Sequence, residues 1–595
     1  MRIPAYTALA ALLAAVAFPA SATAGPMTGG PDHGHGGGHR PDARFDRPYD
    51  GFAPANTVLR RGTPQRAGLD PDPIGAFRSA VDTWDDPASG ANYLFPGATT
   101  LMAHDGTVVE RDAAGYAVKY ADADTELPAG QRVPARTDTI YDLASLSKLF
   151  TSLAAVQQIE AGTIDLDTPV AHYLPDFAAN GKGSITIRQL LTHTSGFDAD
   201  PAPSLWEGYP DIASRRKAIL DTKPINAPGT TYLYSDLNML SMQLVLEKVT
   251  GKPLDKLVSE RITRPLHLTD TGYNPPAYKL PRIAATEYES TPARGMVRGS
   301  VHDENAWALN GVAGHAGVFS TVDDLAVLAQ TILNGGVYKG RRILSEHGVK
   351  LMEENFNQAF PDDSHGLGFE LDQIWYMGGL SGPGTLGHTG FTGTSLVIDP
   401  ASRSFAILLT NRVHPTRDTP STNGPRRDIA TALAKAMAVA PPGGGSTWYA
   451  GQAGATTSTL TTDRLPASGT AEVAFDTFVN TEPTDLLTLE ASTDDGTTWT
   501  PVKLHATGRG APSGEVTSLS GQSVRAWWRV RAEVQGAGDG LRLRWKYTTD
   551  PVYEGRGVDL AGLRVTSGST VLLDGDRPGA ALSADGFDRL PGGRR

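Results

Sequence analysis

Three short clusters in this chain carry the residue types of acyl transfer. Ser145-Leu146-Ser147-Lys148 sets a hydroxyl and an amine three positions apart, so on a helix Lys148 can reach the Ser145 Oγ. A serine hydroxyl is a poor nucleophile until a base takes its proton, and a lysine does that only where its surroundings keep it partly neutral. A helix N-terminus at this point favours the developing alkoxide. The same spacing recurs at Ser214-Arg215-Arg216-Lys217, in a run so charged that it reads as a solvated face.

Tyr234-Ser235-Asp236 directly precedes a helical pattern, so a phenol able to relay a proton and a short acid leave one loop. Alone, Asp236 would read as a helix cap and Tyr234 as a packing residue. Gly387-His388-Thr389-Gly390-Phe391 leads into a β run. Small residues there let a substrate lie along the strand, and an exposed backbone N–H can serve an oxyanion hole. His302-Asp303-Glu304-Asn305 reads as a loop bonded to its own backbone, and Arg412 as a solvated surface residue. No HExxH or comparable spacing accompanies them, and neither a metal nor a cofactor is expected.

The elements that must hold these residues follow from periodicity. Apolar spacing predicts helices over 143–162 and 237–250, stopped by Gly162 and Gly251. Residues 98–103 and 107–111 flank Asp105-Gly106 as a hairpin. Residues 395–398 and 405–410 are two β runs joined at Asp399-Pro400, and 428–438 reads as a covering helix. Strands at both ends with helices between predict an α+β domain over 59–440, its antiparallel sheet closed by the two termini and flanked by helices.

Pro441-Pro442-Gly443-Gly444-Gly445-Ser446 is a linker by composition. Over 447–595 the period becomes two, as in Trp528, Val530, Ala532 and Val534, which predicts an all-β sandwich or jelly roll. Trp528 and Trp545 then face inward. Trp527 points the other way, as a candidate platform for a glycan or cell-wall contact.

With 595 residues the chain has room for two cores. Asp+Glu 65 against Lys+Arg 53 gives a net charge of -12, which weighs against a nucleic-acid partner. The absence of cysteine excludes disulfides, thiolate metal sites and thiol nucleophiles. Arg2, an apolar run and Ala22-Thr23-Ala24 predict a signal peptide over 1–24, hence export to the medium or the cell wall, and no transmembrane segment is expected. Residues 25–58, with His33, His35 and His39 set among glycines, read as a flexible linker.

The order Ser-x-x-Lys, Tyr-Ser-Asp, His-Thr-Gly resembles the penicillin-recognising serine hydrolases, and within them the class C β-lactamase, D-alanyl-D-alanine carboxypeptidase and family VIII esterase group. Further landmarks are Asp142-Leu143-Ala144, Leu190-Leu191-Thr192-His193-Thr194-Ser195-Gly196 and Gly314-His315-Ala316-Gly317-Val318-Phe319-Ser320-Thr321. The resemblance covers about residues 59–439 and implies a β-lactamase/transpeptidase-like fold. It implies Ser145 as the acylated nucleophile, Lys148 as its proton acceptor and Tyr234 as the acid/base partner. His388, Thr389, Gly390 and Asp236 would bind substrate, and the backbone N–H groups of Ser145 and Phe391 would form the oxyanion hole. The implied substrate is an ester, amide or β-lactam, including the D-alanyl end of cell-wall peptides.

Two positions depart from that pattern. Asp236 stands where Asn is usual, and an ionised acid cannot donate a hydrogen bond to a substrate amide. His388 stands where many β-lactamases carry Lys, and a neutral imidazole holds a carboxylate less firmly. Two other classes stay open: an inactive receptor-like protein that binds a glycan or cell wall, and a metalloenzyme using the His-rich tract. The intact Ser145, Lys148 and Tyr234 set argues against the first, and the glycine-rich setting of the histidines against the second.

Overall fold

The computed structural model describes residues 43–591 apart from 453, 523, 537 and 578. The expected signal peptide and the tract of His33, His35 and His39 lie outside the described residues.

Gly97–His104 and Thr107–Val118 form the expected hairpin, and its turn residues Asp105 and Gly106 take φ of 42° and 75°, as a tight two-residue turn demands. Gly97–His104 pairs antiparallel with Ser404–Thr410, and the sheet continues through Ser395–Asp399 and Leu386–Thr389 to Glu370–Leu371. Strands from both ends of the region thus close one sheet, which also takes in Arg60–Arg61 as a short parallel edge.

The sheet is apolar on both faces because both are covered. Along Ser404–Thr410, Phe405, Ile407 and Leu409 enter the larger core, while Ala406 and Leu408 enter the second. The helices Ser147–Glu160 and Val322–Leu333 bury their apolar residues in the first, Asp236–Thr250 most of its own there with Leu240 and Leu244 in a smaller cluster, and Pro71–Trp84 and Asn423–Ala436 theirs in the second. The last helix starts five positions before the expected 428, with Pro425 in its first turn, where proline is tolerated.

The linker expected over 25–58 is not free chain in its described part. Phe45 is fully buried in the second core, its N–H donates to the Ala438 carbonyl at 2.9 Å, and the Ala53 N–H donates to Leu333 at 2.8 Å. One aromatic ring in a polar run is enough to anchor the segment to the sheet's outer layer.

Among the described residues from Ser446 onward the paired strands are antiparallel, in two sheets enclosing Val473, Phe475, Trp528, Leu543 and Trp545. The sandwich and its inward tryptophans are therefore as expected. Trp527 is not a free platform: it packs 6.0 Å from Phe478 and donates to Asp46 Oδ2 at 3.1 Å. Phe478 itself belongs to the second core, and a buried Arg525–Asp399 ion pair of 2.8 Å ties the sandwich to the strand Ser395–Asp399. Both halves belong to one compact unit. Among the described residues no helix is long and apolar enough to cross a membrane.

Candidate active site

Ser145 lies in a single 3₁₀ turn, Ala144–Leu146, that runs into the helix Ser147–Glu160, so two pieces replace the one predicted helix. Asp142 fixes that turn: its Oδ1 accepts the Ala144 N–H at 2.9 Å and its Oδ2 the His302 N–H at 2.6 Å. Ser147 is engaged elsewhere, its Oγ accepting the Val318 N–H at 2.9 Å. Lys148 is 1% exposed and donates to Ser145 Oγ over 2.8 Å, with the His315 carbonyl at 3.5 Å. The second Ser-x-x-Lys has no such setting: Ser214 caps its own helix with Asp211, and Lys217 pairs with Asp221 on an exposed face.

Tyr234 and Asp236 reach this pair from the start of Asp236–Thr250. Asp236 is the first helical residue and not its cap; its Oδ1 stands 2.7 Å from Lys148 Nζ. That oxygen lacks hydrogen-bond alignment, so the contact is an ion pair. The Tyr234 ring lies 4.7 Å from the same ammonium, and its phenol interacts with Lys148 and Ser145. Burial pushes the phenol up to about 12. Burial also pulls Lys148 down, but the Asp236 carboxylate and Tyr234 outweigh it and hold the pKa above the ordinary lysine value. Lys148 is an ammonium in the free site, where the sequence argument asked for a partly neutral amine.

Gly390 matters through what it lacks. A Cβ there would come 2.2 Å from Thr394 Oγ1 and 2.3 Å from the Leu143 carbonyl, so glycine lets the strand end close on the turn that carries Ser145. Thr392 and Thr394 hydroxyls donate to the Asp142 and Leu143 carbonyls at 2.8 and 3.0 Å and complete that closure. Thr389, at the end of its strand, is half-buried. Phe391 is exposed and, with Ser145, Tyr234 and Asp236, lines a cavity of about 520 Å³.

His388 is placed differently from the expectation. It is fully buried behind Tyr234, ring centroids 6.0 Å apart, because alternate residues of a strand face opposite sides. Burial and the Lys148 charge hold its imidazole neutral, lowered to about 3.

The opposite wall of the cavity is acidic. Asp303 caps its own helix through the Ala306 N–H at 2.7 Å, as a self-bonded loop should, yet the same oxygen meets His315 Nε2 at 2.9 Å. Burial would lower the His315 pKa, but Asp303 and Asp236 raise it. Burial and the charges of Asp236 and Asp303 push Asp200 up to about 6. Arg417 bridges Glu287 and Glu304. Arg412 is not a solvated surface residue: it donates to the Phe391 carbonyl at 2.8 Å and to Thr419 at 3.0 Å. Asp236, Asp303 and His315 bring ligand atoms within 4.8 Å of one another, but the Lys148 ammonium already balances Asp236 without a metal.

His193, His315 and Asp200 carry no role in the sequence argument. His193 and His315 sit in stretches visible there only as landmarks, and nothing local marks Asp200.

A serine at a helix start, backed by a buried lysine and a half-buried tyrosine beside a covered sheet, is the architecture of an acyl-transferring serine hydrolase. The chain belongs to the Beta-lactamase family, whose model matches residues 81–431, and it is a β-lactamase-related serine hydrolase. It is 35% identical over 388 residues to a protein of Escherichia coli O157:H7 named "Putative D-alanyl-D-alanine carboxypeptidase", covering 60% of this chain and 86% of that one. A protein of Salmonella agona (strain SL483) with the same name is 33% identical over 402 residues, covering 62% and 90%. Among solved structures, a penicillin-binding protein homologue from Caulobacter crescentus is 21% identical with a TM-score of 0.48, covering 61% of this chain and 98% of that one.

Proposed function

We propose that the protein hydrolyses an ester or amide through an acyl-enzyme on Ser145. The observation that carries this reading is Lys148 Nζ at 2.8 Å from the Ser145 hydroxyl with the Tyr234 ring 4.7 Å from the same ammonium. Attack requires Lys148 in its neutral form, whose amine takes the Ser145 proton as Oγ attacks the carbonyl. The backbone N–H groups of Ser145 and Phe391 hold the resulting oxyanion, the former being a first-turn donor without an intrahelical partner. Tyr234 passes the proton from Lys148 to the leaving group, and water then releases the acyl group by the reverse relay.

For the substrate, the name borne by the relatives supports a cell-wall peptide ending in D-alanine. A second reading, a small ester without a carboxylate, has its own support. His388 is neutral, and Arg417, which lines the cavity, is paired with Glu287 and Glu304, so neither offers an unpaired charge to a substrate carboxylate. The N-terminal charged-apolar-small order, with the cell-wall chemistry in the relatives' name, supports an exported enzyme. The sandwich acts as a support, since Trp527 is taken up at the junction.

The test incubates the protein and its Ser145→Ala variant with benzylpenicillin, a D-alanyl-D-alanine peptide and a chromogenic acetate, reading intact mass and product. A covalent adduct or turnover confined to the unmutated protein is expected with at least one of them. Penicillin adduct or D-alanine release favours the peptidase, and acetate turnover alone favours the esterase. Equal activity in Ser145→Ala would sink the assignment.

A further inference from the structure

Tyr234 is bracketed by a residue from the loop after the helix Ile187–Leu191. The N–H of Leu233, before it, donates to the His193 carbonyl at 3.0 Å. The N–H of Ser235, after it, donates to the His193 Nδ1, also at 3.0 Å. Between these two bonds the His193 ring stacks on the Tyr234 ring, centroids 4.7 Å apart and planes 28° apart.

One residue can make all three contacts only from an unusual backbone shape. His193 has φ of 57°, in the left-handed region, where non-glycine residues are uncommon and histidine is among the few enriched. The following residues lock it there: the Thr194 N–H donates to Gln189 and the Gly229 N–H to the Thr194 carbonyl. Asn238 Nδ2 also lies 3.0 Å from His193 Nδ1, and Ser195 Oγ holds Asn238 from its other end at 2.5 Å. Because two N–H donors point at Nδ1, that nitrogen carries no proton. Burial together with the Lys148 charge keeps the ring neutral.

We propose that His193 is a positioning residue for the reaction: it fixes the Tyr234 phenol against Lys148 and Ser145 through the two flanking hydrogen bonds and the ring stack. His193 does not itself line the cavity, so it acts on catalysis only through Tyr234. The inference rests on the role proposed for Tyr234.

The test is a double-mutant cycle between His193→Ala and Tyr234→Phe, measured as kcat and KM on the best substrate of the panel above, with thermal melting of each variant. Misplacing a proton-relay group costs on the order of 100-fold, so His193→Ala is expected to lower kcat by about that factor while leaving KM nearly unchanged. In the Tyr234→Phe background the same substitution should cost no more than about twofold, the scatter of independent sites. His193→Asn, which tolerates the left-handed backbone and retains an acceptor, should recover part of the loss.

Equal losses in both backgrounds would mean a merely structural role and would overturn the inference while leaving the proposed mechanism intact. Full activity of Tyr234→Phe would instead overturn the role of Tyr234, and the inference with it. If His193→Ala does not melt cooperatively, the cycle is run with His193→Asn. A smaller but still coupled loss is expected there, and full activity or additivity overturns the proposal.

Discussion

Lys148 Nζ stands 2.7 Å from Asp236 Oδ1 and 2.8 Å from Ser145 Oγ, so one buried ammonium is shared between an acid and the hydroxyl beside it. Asp236 is the largest influence raising the lysine, with Tyr234 beside it, against a burial that alone would lower it. Much of the charge state of the site therefore hangs on residue 236, a position that the sequence pattern marks only as a departure.

Asp236→Asn should show this directly. Without the carboxylate its largest raising influence is gone and the Lys148 pKa falls. If the amine must be free for attack, the ascending limb of kcat/KM against pH moves to lower pH. A pH–rate profile of both proteins on a chromogenic ester checks it; an unmoved limb would dissociate Asp236 from the base.

Gly390→Ala should damage catalysis without unfolding the protein. The new methyl meets Thr394 Oγ1 and the Leu143 carbonyl at 2.2 and 2.3 Å, so the segment bearing the Phe391 N–H must back away from the nucleophile turn. Losing one oxyanion donor costs on the order of 100-fold or more in kcat, and steady-state kinetics beside a thermal melt separates this from instability.

Glu110 predicts a pH dependence of stability. It is 6% exposed, its Oε1 accepts from Thr100 at 2.8 Å, and its Oε2 is buried without a hydrogen-bond partner. Burial pushes its pKa from 4.5 up to about 7. A raised carboxyl pKa means the native state holds a proton that the unfolded chain releases. Its contribution is therefore complete below about 4.5, declines as pH rises, and is lost once pH passes about 7. Denaturant titrations at pH 5 and 8 should show a smaller difference in Glu110→Gln than in the parent.

Arg525→Ala should loosen the junction between the sheet and the sandwich. It leaves Asp399, 1% exposed, as a buried carboxylate without its guanidinium. Breaking such a pair costs about 3–5 kcal/mol, and urea unfolding should show that loss, with the sandwich transition separating from the rest.

The sequence by itself determined four strands of the sheet, the helical stretches after Ser145 and Tyr234, the all-β character of the C-terminal half and the candidacy of Ser145, Lys148 and Tyr234. Each of these is written in local terms: alternation of apolar residues, a glycine stop, or a hydroxyl and an amine one helical turn apart. It could also reject the Ser214 copy, because charge density is a local property.

What only the tertiary structure decided depends on residues far apart in the chain. Lys148 is charged because Asp236 folds against it, and His388 is hidden because the strand's alternation places it behind Tyr234. Phe45 and Trp527 are consumed at a junction between segments hundreds of residues apart in the chain. His193 brackets Tyr234 across some forty residues. Protonation, exposure and side-chain pairing are properties of a three-dimensional neighbourhood, and local spacing does not encode the neighbours that long-range packing brings together.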